Sequence, residues 1–175
     1  LAEPDPQRPD HKSFEREVIN ARSKATSFKR EGFKLLNHKS SVEDFYDDQS
    51  VASAYYLEMQ ELAKKESSAD EVHIVSHITR NELEAQKGKR LGAHRLVHND
   101  FTPNFSQTVK PIIENVTFTP SKISVFNLWR RFDEDGLDAP FAVCDSSTVS
   151  EQELIPTDLF NYLDGEEGFT VEIYQ

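Results

Sequence analysis

The stretch Ile123-Ser124-Val125-Phe126-Asn127-Leu128-Trp129-Arg130 decides how this chain is read. In a β-strand successive side chains point to opposite faces. Ile123, Val125, Asn127 and Trp129 then share one face, while Ser124, Phe126, Leu128 and Arg130 share the other. Both faces are mostly apolar, the pattern of a strand covered on both sides. Asn127 sits among apolar neighbours, and a polar group aimed inward needs a partner.

Downstream, Pro140-Phe-Ala-Val-Cys144 reads as a second short buried strand, with Cys144 an inert buried thiol. Asp133-Glu-Asp-Gly136 reads as a solvated turn. Residues 150–163 suggest a short helix or turn with Pro156 inside it, and Phe169-Thr-Val-Glu-Ile-Tyr174 a final strand. Upstream, Leu96-Val-His-Asn-Asp100 predicts a strand, Val72-His-Ile-Val-Ser-His-Ile alternates loosely, and the polar stretch 81–92 around Gly88 predicts an exposed loop.

One longer helix is predicted over residues 50–66. Val51, Ala54, Tyr55, Met59 and Leu62 recur at helical spacing as its core face. Ser41-Val-Glu-Asp44 has the form of a capping box. Gly32 marks a turn into a short strand at 33–36, and Val18 and Ile19 start another. Residues 1–13, with Pro4, Pro6 and Pro9 among charges, read as a disordered lead-in. One early helix followed by many short strands predicts a mainly β domain with helical decoration over residues 14–175, a barrel or a sandwich.

Composition narrows the function. The chain has 175 residues and a net charge of -11, the size of one domain. Up to Arg131 it holds 19 acids and 20 bases; the 44 residues after Arg131 hold 12 acids and no Lys or Arg. This balance argues against a nucleic-acid partner, which requires a basic stripe. No apolar run reaches the roughly 18 residues of a membrane span. Cys144 is the single cysteine, so there is no internal disulfide and no Cys-rich zinc site. That fits a reducing, cytoplasmic setting. Asn104-Phe-Ser and Asn115-Val-Thr match the glycosylation pattern, but no signal peptide is visible.

For chemistry, His98-Asn99-Asp100 is the sharpest feature. Residues i and i+2 of a strand share a face, so an imidazole and a carboxylate converge there. That is two-thirds of the 2-His-1-carboxylate set that holds non-haem Fe(II). His94 lies four residues earlier, about 13 Å away along a straight strand, too far to share a metal with His98 unless the backbone bends. His73 and His77 read as structural or surface histidines, either able to reach a site from a neighbouring strand; a cupin-like metal protein using one of them as third ligand is an alternative. His11 and His38 read as exposed. No Gly-x-Ser-x-Gly elbow and no phosphate-cradling glycine loop is present.

Taken in order, Val18-Ile-Asn-Ala-Arg22, Glu31-Gly-Phe33, Asp44 to Asp48, Tyr55-Tyr-Leu-Glu58, the strand ending in Arg80, His98-Asn-Asp100, Asn127-Leu-Trp-Arg130 and Pro140-Phe-Ala-Val-Cys-Asp-Ser-Ser147 resemble the gibberellin-desaturase-like family of fungal hydroxylases and desaturases. The resemblance implies a double-stranded β-helix, or jelly roll, and an Fe(II)/2-oxoglutarate-dependent dioxygenase of small organic substrates. It implies His98 and Asp100 as metal ligands, and it places Arg80, Asn127 and Arg130 at positions near the cofactor. A cosubstrate carboxylate or a backbone group would satisfy Asn127. The family's second histidine ligand and its 2-oxoglutarate-pairing base have no counterpart here, because no histidine follows His98 and no base follows Arg131. The expectation is therefore a C-terminally incomplete barrel. It would be either a fragment completed by a further segment or second copy, or a shortened relative that binds a small molecule or protein without catalysis.

Overall fold

The helix expected around residues 50–66 is the hub of the chain. The structure, a computed structural model, describes residues 15–94, 97–103, 119–132, 140–160 and 170–174. The lead-in, both glycosylation-like sites and the acidic turn at Asp133-Glu-Asp-Gly136 lie outside the described residues. The hub is built of α1 (Asp48–Ser50), a π-helical segment (Val51–Tyr55) and α2 (Tyr56–Ser67). Asp47 caps it by accepting from the Gln49 amide at 3.1 Å. Ser68, left-handed at φ 57°, ends it.

The π segment shifts the buried face. A π turn bonds five residues apart, so it holds more residues per turn than an α turn. Val51, Met59 and Ala63, all a multiple of four apart, are the buried apolar residues among those described, while Ala54 and Leu62 are only half-buried. Burying a side chain the size of Val51 or Met59 stabilises by about 1.5–3 kcal/mol.

Residues 72–79 run back along the hub. Gln60 donates to the Val72 carbonyl at 3.1 Å, the Tyr56 hydroxyl meets His77 Nδ1 at 2.7 Å, and Thr79 donates to the Phe45 carbonyl at 3.1 Å. The predicted loop at 81–92 contains a helix, α3 (Glu82–Gln86). Its polarity hid it, because the signal is a cap and not an apolar stripe: the Asn81 side chain accepts from the Glu84 amide at 2.9 Å. The capping box expected at Ser41-Val-Glu-Asp44 is absent, and Ser41 instead donates its amide and hydroxyl to Glu58 at 2.7 and 2.6 Å. A capping box does form at Ser150 and Glu153.

Among the described residues one two-stranded antiparallel sheet forms, β1 (Pro156–Phe160) with β2 (Thr170–Tyr174), Pro156 facing Tyr174 and Phe160 facing Thr170. β2 matches the predicted final strand. The short helix or turn expected over 150–163 forms only at Glu151–Glu153; β1 takes the stretch from Pro156, which fits a strand start, where a proline costs no ladder bond. The segments at 18–19, 33–36, 72–78, 122–132 and 140–145 show no ladder hydrogen bonds. Side-chain bonds tie them down instead.

Two distant motif pieces meet directly. The Ser146 amide donates to the Glu31 carbonyl at 3.0 Å, and the Ser146 hydroxyl to the Arg30 carbonyl at 3.0 Å. Gly32 has φ +81°, and a Cβ there would stand 2.9 Å from the Ser146 hydroxyl oxygen. Both the left-handed backbone and the close approach call for glycine. The buried Glu31 carboxylate accepts from the Ser27 amide at 2.7 Å, and this bond leads in holding its pKa below the usual carboxylate range.

Candidate functional site

The central stretch shows the alternation its sequence predicts, read in contacts. On one side Phe126 meets Phe28 edge to face, with centroids 5.2 Å apart. On the same side Arg130 donates to the Tyr55 hydroxyl at 3.1 Å and to the His38 carbonyl at 3.0 Å. On the other side Asn127 reaches Asp100, and Trp129 stacks on Phe141 with centroids 4.2 Å apart and planes 8° apart. That second side is open: Val125, Trp129, Phe141 and Val143 are 39%, 53%, 51% and 46% exposed. Leu128, on the first side, is likewise 40% exposed, while Phe126 and Arg130 are half-buried, so the expected cover on both sides is not seen among the described residues. Cys144, expected buried, is exposed on the same segment.

His98 and Asp100 stand together. Nε2 of His98 is 3.2 Å from Oδ1 of Asp100, with the imidazole about three-quarters buried. Nδ2 of Asn127 donates to Oδ2 of the same carboxylate at 2.9 Å. The structure thus joins three of the residues nominated from sequence. The amide, expected to point inward, is exposed on the open side, and its partner is the Asp100 side chain.

The two nominated arginines make contacts of their own. Arg80 donates to the Gly92 carbonyl at 2.7 Å and forms an isolated bridge with Leu91, closing the base of the α3 loop. Arg130 is turned toward the hub, its guanidinium also 2.7 Å from His38 Nδ1 and 5.4 Å above the Tyr55 ring. His38, expected exposed, is half-buried in this contact. Sequence could not show it, since the partner lies 92 residues away.

His94 also differs from expectation. Its ring centroid is 4.2 Å from that of His98, so a spacing of four residues does not separate the rings as a straight strand would. His73 pairs with Glu71 at 2.7 Å, and His77 with Tyr56 and, at 3.3 Å, with Asp48. Among the described residues no group of three His, Cys, Asp or Glu side chains is placed to hold a metal. The cupin-like alternative thus has no assembled triad among them.

The donor set can be tested against iron. Two donors about 2.1 Å from one ion, at right angles, stand about 3 Å apart. The 3.2 Å between His98 Nε2 and Asp100 Oδ1 fits adjacent positions on one ion. The residues present fit as two of the three protein ligands of a facial triad.

Residues 4–175 match the oxidoreductase/YMDC permease-like domain family. The chain belongs to this family. Similar proteins bear out the kinship to fungal hydroxylases and desaturases that the motifs pointed to. An alpha-ketoglutarate-dependent dioxygenase, phiK, from Fungal sp. (strain ATCC 74256) is 28% identical over 147 residues, covering 79% of this chain and 53% of its own. The hydroxylase/desaturase CTB9 of Cercospora beticola is 27% identical, covering 72% and 44%. The Fe(II)/2-oxoglutarate-dependent dioxygenase nvfI of Aspergillus novofumigatus is 33% identical over 119 residues, covering 66% and 42%. The chain spans about half the length of these relatives. No solved structure matches it. Among the described residues no helix is long and apolar enough to cross a membrane.

Proposed function

We propose that this chain carries the iron-binding half of an Fe(II)/2-oxoglutarate-dependent dioxygenase that hydroxylates or desaturates a small organic substrate, on a jelly-roll scaffold. One observation carries the reading: the His-x-Asp pair is assembled with its donor atoms 3.2 Å apart. The names of the similar proteins support the same chemistry.

His98 and Asp100 would hold Fe(II), which when bound supplies the activation of oxygen. The protein's own part is placement. Asp100 contributes a negative charge and a fixed oxygen, and His98 a neutral ring nitrogen. The stacked Trp129 and Phe141, with Val125 and Val143, offer an apolar surface for the substrate beside them. The greater length of the relatives is the proposed source of the third ligand and of the base that pairs with 2-oxoglutarate.

Fe(II) binding to the chain, followed by anaerobic equilibrium dialysis, tests this reading. Binding that is lost in both His98→Ala and Asp100→Ala supports it, and binding unchanged by either variant refutes it. The incomplete ligand set among the described residues favours a second reading, a non-catalytic relative that binds a small molecule or protein. A protein that binds no Fe(II) would select that reading.

A further inference from the structure

The Asp100 carboxylate has two oxygens in different surroundings. Oδ1 faces His98 Nε2 at 3.2 Å, and Oδ2 accepts from Asn127 Nδ2 at 2.9 Å. A carboxylate with both oxygens free can rotate and bind a metal through one oxygen or through both. Here one oxygen is held by a donor that carries no charge and cannot itself compete for the metal through that nitrogen. The other is left beside the imidazole.

The donor is also well anchored. Asn127 is flanked by residues tied on both sides of its segment, since Phe126 packs on Phe28 and Trp129 on Phe141. Three positions on, Arg130 is bonded to His38 and Tyr55. The amide is thus presented from a segment fixed at several points, 27 residues from its acceptor in the chain.

We infer that Asn127 is a positioning residue: it pins Oδ2 of Asp100 so that Oδ1 alone is offered to the metal, in register with His98. The inference rests on the reading of His98 and Asp100 as metal ligands. It assigns Asn127 to the ligand and not to the cosubstrate. Outer partners that orient ligating side chains commonly change metal affinity by about 10–100-fold when removed.

The test uses Co(II) as the probe, titrated into the whole chain and followed by its visible absorption. Asn127→Leu keeps the volume and removes the donor; Asn127→Ala is the second variant, and Ser124→Ala, exposed on the opposite side of the segment, is the control. Both Asn127 variants are expected to weaken Co(II) binding by about 10–100-fold, with the control unchanged. A merely structural role would not alter the binding mode, so infrared spectra of the Co(II) complexes are compared as well. The gap between the two carboxylate stretches is expected to narrow in Asn127→Leu, as Asp100 becomes free to bind through both oxygens. Affinity and carboxylate spectrum both unchanged in Asn127→Leu would overturn the inference while leaving the metal site standing. Co(II) binding equal in the unaltered chain and in His98→Ala would instead overturn the metal reading on which it rests.

Discussion

Arg130 grips His38 twice, at the carbonyl oxygen 3.0 Å away and at the ring Nδ1 2.7 Å away. The pair locks the central stretch to the segment before the hub, and the same guanidinium bonds the Tyr55 hydroxyl. The planar fork matters, because an ammonium cannot serve three acceptors in those directions. Arg130→Ala is expected to lower stability in urea unfolding by about 2–3 kcal/mol, and Arg130→Lys to recover little of it. A lysine variant as stable as the unaltered chain would refute this role.

Gly32→Ala places a methyl group 2.9 Å from the Ser146 hydroxyl oxygen at a backbone φ of +81°. The joint between residues 30–32 and 146 should open. A loss of about 1–3 kcal/mol is expected from the left-handed backbone and the contact together. Unfolding midpoints measure it, and an unchanged midpoint would show the two pieces are not held this way.

Glu58 makes a prediction about acid. Burial pushes its carboxyl up, but the hydroxyls of Ser40 and Ser41, the Ser41 amide and the charge of His38 outweigh that effect and hold the pKa at about 2. A pKa depressed on folding contributes stability that is full above the ordinary value of 4.5 and is lost as pH falls toward 2. Glu58→Ala is expected to cost about 1–2 kcal/mol near neutral pH and to flatten the stability curve between pH 4.5 and 2. An equally steep curve in the variant would assign the acid sensitivity elsewhere.

Cys144 lies exposed at the end of the 140–144 segment. A thiol reagent should label it in the native chain as readily as in urea. Labelling that requires denaturant would return it to the buried position its apolar neighbours suggested.

Legibility followed the range of the signal. The helix was readable because its periodicity acts over three or four residues; its cap at Asp47 was not, the box expected at 41–44 being absent, and the π segment, which moves the buried face from Leu62 to Ala63, leaves no such mark. The alternation of Phe126 and Arg130 against Asn127 and Trp129 was readable for the same local reason. Its cover was not, since an apolar run looks identical whether both faces are buried or one is open. In the site, the His-x-Asp spacing brought His98 and Asp100 forward, and Asn127 stood out as a polar residue among apolar ones. The partners of Arg130, Arg80 and His94 were hidden. His38 is 92 residues from Arg130, and the placing of His94 depends on the backbone path and not on residue type.

The central claim is that His98 and Asp100 together hold Fe(II). Anaerobic calorimetric titration of the chain with Fe(II) tests it most directly. Binding at one site that is lost in both His98→Ala and Asp100→Ala is the predicted result. Binding of equal strength in either variant, or none in the unaltered chain, would contradict it.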